Sequence, residues 1–164
     1  LRIPNGFLLY YTALCADGYT AVGLLGSDNL RDWIDLGPCY KHAPADGKWL
    51  AESPLVINHL GTYILWPMGG PNHERPFTGP QQAYISDDPT SFHDRPCIPI
   101  DVSRTDGVIA PEVVCALDGN RWLLSFYNQS LRIFLGVLTW NDERLYVEQI
   151  HSQPQLSELL SSGR

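Results

Sequence analysis

One pattern occurs three times in the chain, as Asn5-Gly-Phe-Leu-Leu-Tyr-Tyr11, Leu60-Gly-Thr-Tyr-Ile-Leu-Trp66 and Asp118-Gly-Asn-Arg-Trp-Leu-Leu-Ser-Phe126. Each copy places a glycine before a run of aromatic and apolar residues, which predicts a β-hairpin. The glycines Gly6, Gly61 and Gly119 are 55 and 58 residues apart. A period of this length is enough for one four-stranded sheet per repeat.

A second element follows the first two hairpins, as Ser27-Asp-Asn-Leu-Arg-Asp-Trp33 and Ser86-Asp-Asp-Pro-Thr-Ser-Phe92, with a looser version at Leu138-Thr-Trp-Asn-Asp142. Serine and aspartate bond to nearby backbone and favour tight turns. We expect the trailing aromatic to pack under the turn or against a neighbouring sheet, with Trp33 and Trp140 in the core. The two repeated elements together predict an array of stacked sheets.

The predicted fold class is therefore all-β, a partial β-propeller of about three four-stranded antiparallel blades. The predicted blades are residues 1–41, 49–100 and 108–149 of a propeller domain at 1–150. The C-terminal tail at 151–164 contains one short helical pattern followed by Ser and Gly, and we expect it to be frayed. Each sheet is expected to form from consecutive segments, without pairing between blades.

Composition excludes several function classes. The chain has 164 residues and a net charge of −7 at pH 7, which argues against nucleic acid or an anionic membrane as a partner. The four cysteines lack the spacing of a zinc or redox site, so we expect no metal and no cofactor. The start, without Met or a signal-peptide pattern, suggests part of a longer protein. Localisation stays open, with the cytoplasm favoured over secretion.

Two glutamates open the first strands of predicted blades, in Ala51-Glu52-Ser-Pro54 and Ala110-Pro-Glu112-Val113. The first strand of a propeller blade lines the central channel, so acidic groups from successive blades are expected to face the same channel. A pair of carboxylates in one site is what glycoside hydrolysis requires. The alternative is that each glutamate is an ordinary solvated charge.

The order Leu9-Tyr-Tyr-Thr-Ala13, Ser27 to Trp33, Leu36-Gly-Pro38 and Trp49-Leu-Ala-Glu-Ser-Pro54 resembles the five-bladed propeller glycosidases of families 43 and 32. These include arabinanases, xylosidases, arabinofuranosidases and invertases. The resemblance implies that Glu52 is the general acid. It also implies that the chain matches blades two to four, and that two further catalytic aspartates have no counterpart in it. Glu112 matches no catalytic position, and its predicted place in the channel suits a substrate contact.

The remaining candidates each have a structural alternative. Trp66 could stack on a sugar ring, although aromatic residues at strand spacing are more often core. His73, in the Gly- and Pro-rich loop 68–81, could bind sugar hydroxyls or simply be solvated. Asn128 is either a sugar ligand or a polar loop residue.

These features together predict a glycoside hydrolase, or a fragment of one, acting on arabinose-, xylose- or fructose-containing glycans. The alternative is a catalytically inactive carbohydrate-binding or interaction module of the same fold. The expected partner is a carbohydrate. We also expect self-association, because uncovered apolar blade faces favour association. We expect no activity from the isolated chain, because two of the catalytic carboxylates that the resemblance implies have no counterpart in it.

Overall fold

The computed structural model describes residues 1–16, 18, 20–41, 51–68, 81–128, 130–141 and 144–162, which are mostly β. This confirms the predicted all-β class. The described elements are β1 (Arg2–Ile3), β2 (Gly6–Leu14), β3 (Thr20–Ser27), β4 (Ile34–Tyr40), β5 (Glu52–His59), β6 (Thr62–Met68), β7 (Gln81–Ser86), β8 (Cys97–Arg104), β9 (Ile109–Asp118), β10 (Arg121–Tyr127), β11 (Ile133–Asn141), β12 (Arg144–Gln149) and the helix α1 (Gln153–Ser162). Among the described residues, 1–68 with 84–97 form one compact unit, and 81–83 with 98–162 form a second.

The first unit contains a four-stranded sheet in the order β1-β2-β3-β4, in which each strand is antiparallel to its neighbour. In the same unit β6 pairs antiparallel with β5 and with β7. One core cluster draws on both groups of strands and includes Leu24, Leu65 and the fully buried Phe92. The N–H of Phe92 also donates to the carbonyl of Cys39 at 2.8 Å. Phe92 therefore packs as the repeated turn element predicts.

The second unit is built on the antiparallel strands β9, β10, β11 and β12. β8 pairs with β12 in parallel, with Ile100 opposite Leu145. The expectation that no pairing joins predicted blades is wrong here, because β8 begins inside the segment 49–100. The edge of β12 that does not face β11 has backbone groups to satisfy, and β8 satisfies them.

The tail predicted to be frayed contains the ordered helix α1. Leu156 and Leu159, one turn apart, pack against a core cluster of Leu117, Leu123 and Val137. Residues three apart lie on the same face of a helix, so these two leucines form a short apolar stripe. The helix thus covers apolar side chains of β9, β10 and β11.

Three two-residue turns confirm the predicted hairpins, and they are flanked by the pairs Ile3–Gly6, His59–Thr62 and Asp118–Arg121. The repeated glycine occupies a different place in each hairpin. Gly6 follows its turn, Gly61 is the second turn residue, and Gly119 is the first. The repeats therefore shift by one residue at each step when they are aligned on glycine.

The second repeated element forms turns through serine and the residue two positions later. Ser27 Oγ accepts the N–H groups of Asn29 and Leu30 at 3.2 and 2.9 Å. Ser86 Oγ accepts the N–H of Asp88 at 3.0 Å. Trp33 and Trp140 are only half-buried, which corrects the prediction that both are core residues. All four cysteines are free, with Cys39 buried and Cys97 exposed.

Candidate functional site

Glu52 is the first residue of β5, and its side chain is exposed. It pairs with Met68 of β6, and the next pair in register is Leu55 with Trp66. Three residues of β5 therefore span two residues of β6, which defines a β-bulge between Glu52 and Leu55. Ser53, inside the bulge, has a φ of +44°. The regular one-to-one pairing of β5 with β6 is therefore interrupted between Glu52 and Leu55.

The backbone on both sides of Glu52 is held by threonine hydroxyls from the neighbouring sheet of the same unit. The N–H of Ala51 donates to Thr20 Oγ1 at 2.6 Å, and the N–H of Ser53 donates to Thr12 Oγ1 at 3.0 Å. β6 lies on the other side of β5, so these two N–H groups point away from the β5–β6 ladder. The threonines thus satisfy two backbone donors that the β5–β6 ladder leaves unpaired.

The second unit repeats this geometry at the start of β9. Ile109 pairs with Tyr127 of β10 and Glu112 with Ser125, so that three residues again span two. Ala110, inside this bulge, has a φ of +47°. Ala110 and Ser53 each precede a proline, and the proline ring further restricts the backbone of the residue before it. A positive φ at a residue other than glycine costs on the order of 1–3 kcal/mol and is a recurring feature of functional sites.

Alignment of the two bulges shows that Glu52 and Glu112 do not occupy equivalent positions, contrary to the prediction that both open the first strand of a blade. Ile109 occupies the place of Glu52, and Glu112 occupies the place of Leu55. Glu112 is exposed, but it lies beyond the bulge rather than before it. The sequence contains a marker of the correct alignment, because each bulge includes an X-Pro dipeptide, Ser53-Pro54 or Ala110-Pro111. Glu52 and Glu112 belong to different compact units, and their convergence on one channel stays a prediction.

The other predicted ligands have structural roles or lie outside the described residues. Trp66 is 1% exposed, so its ring packs in the core and offers no face to a sugar. Asn128 is buried, and its Oδ1 accepts the N–H groups of Ser130 and Arg132, both at 3.0 Å. That carboxamide oxygen therefore organises the turn between β10 and β11. His73 and loop residues 69–80 lie outside the described residues.

The groups with perturbed pKa values include a buried thiol, a half-buried tyrosine and an aspartate in a turn. Burial raises the pKa of the Cys39 thiol to about 12. Burial also raises the pKa of Tyr10 far above its usual range, and its hydroxyl donates to the carbonyl of Pro89 at 2.8 Å. Hydrogen bonds from the hydroxyl and N–H of Thr90 lower the pKa of Asp88.

Among the described residues, no group of three or more His, Cys, Asp or Glu side chains could hold a metal ion. In the same part of the chain, no helix has the length and apolar character needed to cross a membrane.

Comparison with known proteins gives a likeness in structure but none in sequence. No family model and no curated protein matches the chain. The fold is similar to that of Zg3597, a family 117 glycoside hydrolase produced by the marine bacterium Zobellia galactanivorans, with a TM-score of 0.59 and 14% sequence identity. The match covers 94% of this chain and 54% of that one, so the chain spans about half the length of its structural neighbour. The chain thus shares the fold of a glycoside hydrolase, and the likeness does not single out families 43 or 32.

Proposed function

We propose that this chain is a glycoside hydrolase, or part of one, that uses Glu52 as the general acid. The observation that carries the proposal is the fold likeness to a glycoside hydrolase across 94% of the chain. The proposed substrates are glycans that contain arabinose, xylose or fructose. The proposed architecture is a set of blades of a five-bladed propeller.

The surroundings of Glu52 support a catalytic role for its carboxyl group. The side chain is exposed, so it can reach a glycosidic oxygen without rearrangement of the core. Its backbone is fixed on both sides by hydrogen bonds and lies beside the strained Ser53. A general acid must be held close to the bond that it protonates, and a defined backbone limits the positions that its side chain can sample.

Glycoside hydrolysis also needs a second carboxylate, about 5–5.5 Å from the acid for retention or about 6.5–9.5 Å for inversion. The repeated bulge does not supply it, because Ile109 stands where a second glutamate would be. We assign no residue to this role. Glu112 and His73 are proposed as substrate contacts, and the structural roles of Trp66 and Asn128 remove them from that set.

The decisive experiment varies the leaving group of the substrate. The protein is expressed from the natural start codon of its gene and assayed on aryl arabinofuranosides and xylosides whose phenols span a range of pKa values. Glu52→Gln is expected to lower turnover by at least about a hundredfold for poor leaving groups, which need a proton. It is expected to change turnover much less for good leaving groups, which depart without one.

Glu112→Gln is the matched control, since it makes the same substitution at an exposed glutamate of the other unit. We expect it to raise KM without this dependence on the leaving group. Undiminished turnover by Glu52→Gln on poor leaving groups would show that the proton comes from elsewhere.

The second candidate function is a catalytically inactive carbohydrate-binding or interaction module, since no described residue is assigned as the second carboxylate. Such a module would bind arabino-, xylo- or fructo-oligosaccharides without cleaving them. Isothermal titration calorimetry with each oligosaccharide, followed by chromatography of the same samples, separates the two functions. Binding with intact sugar supports the module, and released product supports the enzyme.

Self-association is proposed from the exposed apolar side chains of the first unit. Leu14, Ile34 and Leu36 are 78%, 70% and 52% exposed. Ile34 and Leu36 also line a groove of about 530 Å³. A second copy of the chain is the proposed occupant, because exposed apolar patches of this kind mark interaction sites.

A further inference from the structure

We propose that Thr12 and Thr20 are positioning residues for Glu52, an inference that rests on the proposed role of Glu52 as the acid. Their hydroxyls accept hydrogen bonds from the N–H groups of the residues on either side of Glu52, Ala51 and Ser53. Neither threonine is expected to touch the substrate. Each acts through the backbone that carries the acid.

The two contacts lie on either side of Glu52 and together are called the clamp. Thr20 Oγ1 lies 2.6 Å from the nitrogen of Ala51, and Thr12 Oγ1 lies 3.0 Å from the nitrogen of Ser53. Both threonines come from the same end of the β2–β3 hairpin, where Thr12 pairs with Val22 and Thr20 with Leu14. The clamp is therefore built on a paired, antiparallel framework.

Burial differs between the two halves of the clamp. Thr20 is 8% exposed and Ala51 is 3% exposed, so their hydrogen bond is shielded from water. A shielded donor that loses its acceptor has no water molecule to replace it, which makes its loss costly. The bond to Ser53 is exposed. Thr20 thus holds the backbone just before Glu52, at Ala51, while Thr12 holds the backbone just after it, at Ser53.

The contact at Ser53 has a further consequence for the acid. The φ of +44° at Ser53 is unfavourable for a residue with a side chain, and still more so before proline. A strained conformation persists only where its surroundings specify it. The bond from the Ser53 N–H to Thr12 is one such specification. Its removal would let the peptide after Glu52 relax and move the carboxyl group away from its productive position.

The experiment compares variants that differ only in the acceptor. Thr12→Val and Thr20→Val keep the shape of the side chain and remove the hydroxyl, whereas Thr12→Ser and Thr20→Ser keep the hydroxyl. Thr62→Val is the matched control, because Thr62 lies at the hairpin end of β6, away from Glu52. Each variant is measured by amide hydrogen exchange and by the leaving-group assay on the protein expressed from its natural start codon.

We expect each valine variant to speed exchange at one amide, that of Ser53 for Thr12 and that of Ala51 for Thr20. The increase should be about tenfold, as for loss of one ordinary hydrogen bond. For poor leaving groups kcat should fall about tenfold while KM stays within about twofold, because a displaced acid slows chemistry rather than binding. The serine variants should restore both quantities, and Thr62→Val should change neither.

Failure of the positioning inference can be told apart from failure of the proposed function. If Glu52→Gln lowers turnover and the valine variants keep full kcat, the threonines do not position the acid. If Glu52→Gln has no effect, the role of Glu52 fails and the inference that rests on it fails too. Thr12 is exposed, so Thr12→Val is expected to fold. If Thr20→Val fails to fold, Thr12→Val alone still tests the inference.

Discussion

Alanine substitution at the three repeated glycines tests whether the hairpins really differ as the strand registers indicate. A Cβ at Gly119 would meet no atom within 4 Å, and its φ is not positive. Gly119→Ala should therefore be neutral or stabilise the protein by up to about 1 kcal/mol, since alanine restricts the unfolded chain. Gly61 also has open space, but its φ is +92°. Gly61→Ala should cost about 1–2 kcal/mol through backbone strain alone.

Gly6 combines both penalties. Its φ is +140°, and a Cβ there would fall directly on the carbonyl oxygen of Ser27. That oxygen belongs to the backbone at the end of β3 and cannot rotate away, so Gly6→Ala must push the start of β2 away from β3. We expect a cost of about 2–3 kcal/mol, limited above by the free energy of opening this end of the β2–β3 pairing.

Urea titration and thermal melting followed by circular dichroism measure these differences. For a chain of this size about 1 kcal/mol corresponds to roughly 2–4 °C in Tm. The expected order of Tm is Gly119→Ala above Gly61→Ala above Gly6→Ala. Equal losses at Gly61 and Gly119 would show that the glycines occupy equivalent turn positions, contrary to the registers described above.

Four further predictions use other parts of the molecule. Leu60→Asn should raise Tm by about 2–4 °C in thermal melts, because Leu60 has a φ of +52° in a turn that favours Asn-Gly. Iodoacetamide at pH 8 should label Cys97 well before Cys39, as mapped by mass spectrometry, because Cys97 is exposed while burial raises the pKa of Cys39. Ionised Asp88 should stabilise the folded protein above about pH 4, the usual carboxyl value, and this stabilisation should be lost as the pH falls through the lowered pKa of Asp88. The difference in urea midpoint between wild type and Asp88→Asn should therefore shrink towards pH 2. Ile34→Lys should reduce the mass seen by light scattering if a second copy covers this 70% exposed side chain, and an unchanged mass would place the contact elsewhere.

Much of the fold could be predicted from the sequence because strands and turns leave local signals. The runs of aromatic and apolar residues after each repeated glycine locate β2, β6 and β10, and the two Ser-Asp elements locate two turns. The parallel partner of β12 could not be predicted in this way, since pairing between segments more than 40 residues apart leaves no local pattern. The short helical pattern of α1 is visible in the sequence, but its order depends on packing by Leu156 and Leu159, which is a tertiary effect.

The candidate site shows where counting along the chain fails. Counted back from the hairpin glycines, Glu52 and Glu112 fall at similar positions in their strands. The glycine itself, however, occupies a different position in each of the three turns, so this count does not align the strands. The bulges provide a better reference, because each adds a residue to one strand and resets the count. Measured from Pro54 and Pro111, the position of Glu52 is matched by Ile109. Irregularities of the backbone, rather than its regular strands, decide which side chains correspond.

The recurrence of the same bulge with glutamate in one unit and isoleucine in the other has a consequence for protein engineering. The fold tolerates a charged or a branched apolar side chain at this position without losing the backbone path. In both units the bulge coincides with the X-Pro dipeptide that follows this position, Ser53-Pro54 and Ala110-Pro111, so the backbone path does not depend on the side chain at the position itself. A designer can exchange functional groups there, such as an acid, an imidazole or a metal-binding side chain, while the strand remains unchanged.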